Sequence, residues 1–149
     1  VGMQDVAVVE TQDAVLVTAL NQAQQVKDMV SQISQDGRVE VERHCRTYRP
    51  WGYHELLIKD PSFQVKRVVI SPGQKIAWQK HNHRQEQCTV LQGEVVIERG
   101  DECHHLCKDQ HLTAAVNELH QLSNDSAESV TLLEVQSGEI IDEADVIRP

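Results

Sequence analysis

The stretch Gln79-Lys80-His81-Asn82-His83-Arg84-Gln85-Glu86-Gln87-Cys88 puts two imidazoles and a carboxylate within six residues, 81–86. A Pro72-Gly73 turn precedes it and Gly93 follows it. Side chains two apart on a strand share a face, so an extended chain here projects His81 and His83 together. Glu86 comes just past them, and His120 is available further along the chain as a fourth donor. Imidazole nitrogens joined by a carboxylate oxygen suit a divalent transition ion such as zinc, manganese or iron. His81, His83, Glu86 and His120 are therefore the expected metal ligands. The competing reading is a pair of solvated histidines on a polar strand.

Outward from this stretch, strand signals succeed one another over residues 52–58, 64–70, 75–79, 87–91, 94–99, 102–107, a run around 119–122, and 130–136. Pro61, Pro72-Gly73, Gly93, Gly100-Asp101 and Asn124-Asp125 separate them. Many short strands with tight turns predict an antiparallel double-sheet barrel of the jelly-roll kind, able to enclose a small ligand cavity. Upstream, Arg49-Pro50-Trp51-Gly52 reads as a rigid turn, and the charged, aperiodic residues 36–46 read as a linker. Val6-Ala7-Val8-Val9-Glu10 and Ala14-Val15-Leu16-Val17 read as a hairpin. From about 21 to 33, Val26, Met29, Val30 and Ile33 recur at helical spacing, with Asn21 as N-cap and Gly37 shortly past the end. The chain is thus expected to carry a small strand–helix extension over 1–45 and an all-β domain over 46–149.

Composition narrows the partners. Lys and Arg number 14 against 23 Asp and Glu, a net charge of -9, which argues against nucleic acid or an anionic membrane as partner. A phosphorylated ligand then needs a local cationic pocket. Apolar residues make up 40% but aromatics only 3%, so the core must come from Val, Leu, Ile and Ala. No apolar run is long enough to span a bilayer, and no basic region followed by an apolar run marks a secretory leader. Cysteines number only 4 in 149 residues, too few for a disulfide scaffold, so a reduced, cytoplasmic setting is expected.

The order Gly73, His81, His83, Glu86, Gly93 resembles the metal motif of the cupin barrels, with Glu86 one place early and Gln87 at the usual position of the carboxylate. From Arg49 onward the chain resembles the isomerase domain of type II mannose-6-phosphate isomerases. The similarity lies in Arg49-Pro50-Trp51-Gly52, Val65-Lys66-Arg67, Pro72-Gly73, Gln79-x-His81-x-His83-Arg84-x-Glu86, Glu134-Val135-Gln136-Ser137-Gly138 and Glu143-Ala144-Asp145-Val146-Ile147-Arg148. In that family the domain usually follows a mannose-1-phosphate guanylyltransferase. The segment from Gln4 to Val17, with Gln25-Val26-Lys27, is similar to the end of that part. The Gly-rich nucleotide loop is missing, so no nucleotidyl transfer is expected from this chain.

The resemblance implies a cupin-type double-stranded β-helix that interconverts mannose 6-phosphate and fructose 6-phosphate in nucleotide-sugar and polysaccharide biosynthesis. It implies a divalent ion as cofactor, a phosphorylated hexose as substrate and, as in many cupins, a homodimer. Such chemistry needs a Lewis acid on the sugar oxygens, a general base at carbon and cations for the phosphate. Lys66, Arg67, Lys80 and Arg84 are the candidates for phosphate or enediolate contact. The chain departs from the family at Gln87 and Cys88, where His and Trp are usual. It also departs at Ala114-Ala115-Val116-Asn117, in place of Ile-Pro-x-Gly, and at Gln121, in place of Arg. These departures keep a second reading open, a catalytically silent cupin that binds metal or sugar or serves assembly. Cys103-His104-His105-Leu106-Cys107 could hold a soft ion, but the favoured reading is a plain hairpin strand. Trp51 and Trp78 are expected in the core.

Overall fold

In the computed structural model of the chain, residues 2, 4–10, 14–35 and 46–149 are described. They divide into two compact units, Val1–Cys45 and Arg46–Pro149. In the first, β1 (Val6–Glu10) and β2 (Val15–Ala19) form an antiparallel hairpin with Val8 opposite Val17. A 3-10 turn, Leu20–Gln25, leads into helix α1, Val26–Gln35. The helix begins later than its apolar period predicts, and Asn21 lies inside the 3-10 turn instead of capping it. Ala19 takes the cap position without a side-chain bond. Gly37 and nearly all of the expected linker lie outside the described residues.

The second unit holds strands β3 (Arg46–Arg49), β4 (Gly52–Lys59), β5 (Phe63–Ile70), β6 (Lys80–His81), β7 (Arg84–Gln92), β8 (Glu94–Arg99), β9 (Glu102–Cys107), β10 (His111–Ala114), β11 (His120–Ser123), β12 (Val130–Gly138) and β13 (Val146–Ile147). One wall is a six-stranded sheet in the order β10-β7-β12-β5-β4-β3. The facing wall consists of β11-β8-β9 and the short pair β13-β6. All these pairings are antiparallel, and the two walls form the expected jelly-roll barrel. Its core is aliphatic, as the scarcity of aromatics requires. Val68, Ile70, Val90, Val95, Ile97, Leu122, Val130 and Leu132 are all at most 2% exposed. Each such side chain contributes about 1.5–3 kcal/mol by leaving water.

Two elements differ from the sequence reading. Residues 75–79 form isolated bridges, Lys75 to Ser123 and Gln79 to His120, instead of a strand. Ile76 and Gln79, the buried residues of this run, bond through their backbone to Leu122 and His120 of β11. Arg46–Arg49 is a strand at the sheet edge where linker and turn were expected, and its polar sequence hides it. Its Arg46 and the Arg67 of β5 flank the buried carboxylate of Glu55, directly opposite both in register, in an ion-pair ladder whose arginines stay partly exposed. Among the described residues no helix is long and apolar enough to cross a membrane.

Candidate active site

β7 supplies the inward row. Its burial alternates, with Arg84, Glu86, Cys88 and Val90 inside and Gln85 and Leu91 outside. Period two therefore settles which of two neighbours faces the barrel: Glu86 is 1% exposed, and Gln87 lies on the other face. His81, at the end of β6, and His120, at the start of β11, are 2% and 1% exposed. A backbone bridge pins His120 beside Gln79: His120 N–H donates to the Gln79 carbonyl at 2.9 Å, and Gln79 N–H donates to the His120 carbonyl at 3.0 Å.

These three side chains converge. Nε2 of His81 stands 3.0 Å from Oε2 of Glu86, and Nε2 of His120 stands 3.7 Å from Oε1. The two rings are 5.5 Å apart. His81, Glu86 and His120 form a group that could hold a metal ion, their donor atoms all within 4.8 Å of one another. Nδ1 of His81 is buried without a hydrogen-bond partner, and Nε2 of His81 and of His120 face only the Glu86 carboxylate, out of hydrogen-bond geometry. An unsatisfied buried polar atom costs about 1–3 kcal/mol, so two imidazole nitrogens turned on one carboxylate in this way call for a further group. Donors sharing one ion at bonds of about 2.0–2.2 Å stand about 3–3.5 Å apart, close to the separations here. The donor set, two imidazoles and a carboxylate, fits a zinc, manganese or iron class of ion.

The remaining nitrogen of His120 has the partner a ligand histidine needs. Nδ1 lies 3.0 Å from the Glu118 carbonyl, which can only accept, so Nδ1 carries the proton and Nε2 keeps its lone pair inward. The turn that delivers His120 is held without the family's Pro and Gly. Asn117 adopts a left-handed φ of 65° and donates its N–H to the His81 carbonyl at 2.7 Å. Gln121 points to the face opposite His120, across from Glu98.

His83 stands apart from this group. The chain turns at Asn82–His83 between β6 and β7, so the His-x-His pair is not on one strand. The His83 ring is 45% exposed, and its Nδ1 lies 2.8 Å from Oδ1 of Asp145. The same carboxylate accepts from the N–H groups of Asn82 at 3.1 Å and His83 at 3.3 Å. Bonds from His83 and Asn82, against the opposing effect of burial, keep the Asp145 carboxyl below its usual range.

A polar layer surrounds the three donors. Gln136 donates to Oε2 of Glu86 at 2.8 Å and to Oε1 of Glu134 at 2.6 Å, and itself accepts from Gln64. The Cys88 thiol lies 3.8 Å from Oε1 of Glu86, and burial, then the nearby carboxylates, push it well above the usual range. Burial works to raise Glu86, but His120 and His81 outweigh it and hold the carboxyl well below its ordinary value. Glu134, buried beside it, goes the other way: burial and then the Glu86 charge push it up to about 8.

A cavity of about 280 Å³ opens onto this layer through His81, Glu134 and Gln136. Lys66 and Arg84 line it, with Arg49 and Arg148. Lys66 is 8% exposed and its Nζ lies 3.2 Å from Oε1 of Glu143. Arg84, 1% exposed, donates to the Asp142 carbonyl and keeps its Nε unpartnered. Arg67 and Lys80 do not line the cavity. Arg67 follows Lys66 on one strand and so faces the other way, toward Glu55. His54, also on the cavity wall, is pushed down to about 4 by burial and then by the Lys66 charge. Sequence reading missed Glu134, Gln136, Asp145, Glu143 and His54 as site residues. The signal for the first two was present, polar residues at the inward positions of an otherwise aliphatic strand.

Known proteins resemble the chain along its whole length. The family model for the mannose-6-phosphate isomerase C-terminal region matches residues 36–149, and that for a MannoseP isomerase/GMP-like beta-helix domain matches residues 1–33. The xanthan biosynthesis protein XanB of Xanthomonas campestris is 40% identical over 99% of this chain and 32% of its own length. A mannose-1-phosphate guanylyltransferase of Escherichia coli is 36% identical over 99% of this chain and 31% of its own. The alginate biosynthesis protein AlgA of Pseudomonas aeruginosa is 33% identical with the same coverage, 99% and 31%. The chain thus spans about a third of the length of the curated relatives it matches. Among solved structures, a double-stranded beta-helix protein of Klebsiella pneumoniae superposes with a TM-score of 0.57 at 23% identity, covering 64% of this chain and 81% of its own. A cupin-superfamily sugar phosphate isomerase of Silicibacter pomeroyi gives 0.53 at 20% identity, covering 57% and 58%. These likenesses give the barrel the double-stranded β-helix fold.

Proposed function

Since the chain belongs to the family of mannose-6-phosphate isomerase C-terminal domains, we propose that its barrel binds a divalent ion and interconverts mannose 6-phosphate and fructose 6-phosphate. The observation that carries this reading is one cavity that combines the His81 end of a three-donor cluster with four cationic side chains, Arg49, Lys66, Arg84 and Arg148. His81, Glu86 and His120 would hold the ion, and His83 would serve the turn instead. When bound, the ion supplies Lewis acidity to the oxygens on the first two carbons of the sugar.

The chain's own residues take the remaining tasks. Lys66 and Arg84 are the cations for the phosphate or the developing enediolate, nearly buried and so little weakened by solvent. His54, whose lowered pKa leaves the imidazole neutral, is the candidate to take the proton from C2 and return it to C1. The proton of the O2 hydroxyl passes to O1, so that the hexose phosphate is rearranged without gain or loss of atoms. Gln136 orients the Glu86 carboxylate. Arg67 and Lys80 are outside this proposal for substrate contact. The N-terminal unit is read as the end of a guanylyltransferase-like region that in the relatives precedes the barrel.

One observation favours the second reading, a barrel that binds without turning over. Cys88, where the family usually has a large aromatic, leaves a small protonated thiol under Glu86. An assay decides between them. The chain loaded with zinc, manganese or iron(II) is supplied with mannose 6-phosphate, and fructose 6-phosphate is measured. Turnover that Glu86→Gln abolishes supports the isomerase, while no turnover with any of the three ions in a folded chain leaves the silent barrel.

A further inference from the structure

The segment after β12 reaches the candidate site at four points, and three of them fix its backbone. β13 pairs with β6, Val146 opposite His81. The Asp142 carbonyl accepts from buried Arg84, and the Asp145 carboxylate closes on the Asn82–His83 turn. The fourth contact is of another kind. Glu143 sits on the 3-10 turn Glu143–Asp145 with a side chain 55% exposed, and its Oε1 meets Nζ of Lys66, whose side chain is 9% exposed. Glu143 can therefore swing to water while its backbone stays anchored, whereas Lys66 has nowhere to follow.

We infer that Glu143 is a specificity-determining residue: its carboxylate holds the anion position on Lys66, and only a ligand group of greater charge, a phosphate dianion, displaces it. This rests on the reading that the cavity takes a sugar phosphate. Lys66 is nearly buried, so removing its carboxylate partner without a replacement charge is unfavourable. A neutral hexose offers hydroxyls alone and cannot restore the pair. A phosphate brings two charges and three acceptor oxygens, enough for Lys66 and a neighbouring guanidinium together. Arg49, Arg84 and Arg148 line the same cavity. Discrimination then comes from a built-in competitor that weak ligands cannot outbid, a form of selection against the wrong partner.

The sign of one substitution tests the inference. Calorimetric titration of the full chain with inorganic phosphate is carried out for wild type, Glu143→Gln, Glu143→Ala and Lys66→Ala. Glu143→Gln and Glu143→Ala, on an exposed turn, should each bind phosphate about tenfold tighter than wild type, roughly what removing a competing carboxylate from one ion pair yields. Lys66→Ala should bind at least tenfold more weakly. Equal or weaker binding by both Glu143 variants, with wild type still binding phosphate through Lys66, overturns the role of Glu143 and leaves the sugar-phosphate reading standing. Phosphate binding by none of the four chains sinks that reading, and this inference with it.

Discussion

Nε2 of His120 faces Oε1 of Glu86 across 3.7 Å, while Nδ1 of the same ring stands 3.0 Å from the Glu118 carbonyl. The carbonyl fixes the ring proton on Nδ1, so two lone-pair atoms confront each other on side chains that are almost fully buried. Such a pair is stable only with a cation or a second proton between them. The burial of His120 opposes its charging, yet the Glu86 bond and charge raise its pKa above the usual histidine value.

Ion binding should therefore compete with a proton. Below the raised His120 pKa the imidazole is charged and the ion must displace a proton; above it the site is ready. Zinc affinity is expected to rise with pH through the histidine range and to level off above it, by up to about tenfold per unit where one proton is released. Calorimetry in buffers of different ionisation enthalpy counts that proton. An affinity flat from pH 5.5 to 8 would be inconsistent with His120 as a ligand.

Asp145 closes the turn between His81 and Arg84 with three hydrogen bonds and no contact to the three donors themselves. Asp145→Asn keeps the shape but weakens the bonds to two N–H groups and the His83 ring. Zinc affinity should fall about tenfold, because the turn that Asp145 holds sets the position of His81. Stability should fall by about 1–2 kcal/mol in urea. Loss of stability with unchanged zinc affinity would make the clamp purely structural.

Neighbours on β5 should separate cleanly. Lys66→Ala removes a cavity cation, and Arg67→Ala removes a partner of Glu55 on the opposite face. Arg67→Ala should leave phosphate binding within about twofold and cost about 1–2 kcal/mol, less than a fully buried pair because Arg67 is 39% exposed. Phosphate titration and urea denaturation of the two variants check the contrast.

Gly138 lies where β12 meets the start of β7, directly opposite Arg84. A Cβ there would sit 2.1 Å from the His83 carbonyl oxygen and 2.6 Å from the Arg84 Cα. No rotamer relieves a clash with backbone. Gly138→Ala should cost more than about 2 kcal/mol and weaken zinc binding together with stability, since it displaces the turn that aims His81. Thermal unfolding and a zinc titration of the same sample measure both.

The barrel was legible because strand length, turn residues and aliphatic composition agreed along residues 52–136. The site was legible only in part, for reasons of geometry. His81 and His83 are two apart, but the rule that they share a face holds on a strand, and here the chain turns between them. Glu86 and Gln87 compete for one inward position, and the alternation on β7 decides it through Arg84 and Cys88. The same alternation divides Lys66 from Arg67. Asp145 and Glu143 reach the site from the far end of the chain, some 60 residues after His83, with Asp145 62 residues from it. No local pattern announces such a contact. Arg46–Arg49 escaped notice because an edge strand gains from its ladder and its ion pairs and need not carry an apolar period.

Zinc titrated into the metal-stripped chain, for wild type and for His81→Ala, Glu86→Gln, His120→Ala and His83→Ala, identifies the ligands. About one tight site per chain is expected, weakened at least a hundredfold by each of the first three substitutions and by less than about tenfold by His83→Ala. Wild-type affinity no better than that of Glu86→Gln, or a His83→Ala loss as large as that of His81→Ala, would contradict a site built from His81, Glu86 and His120.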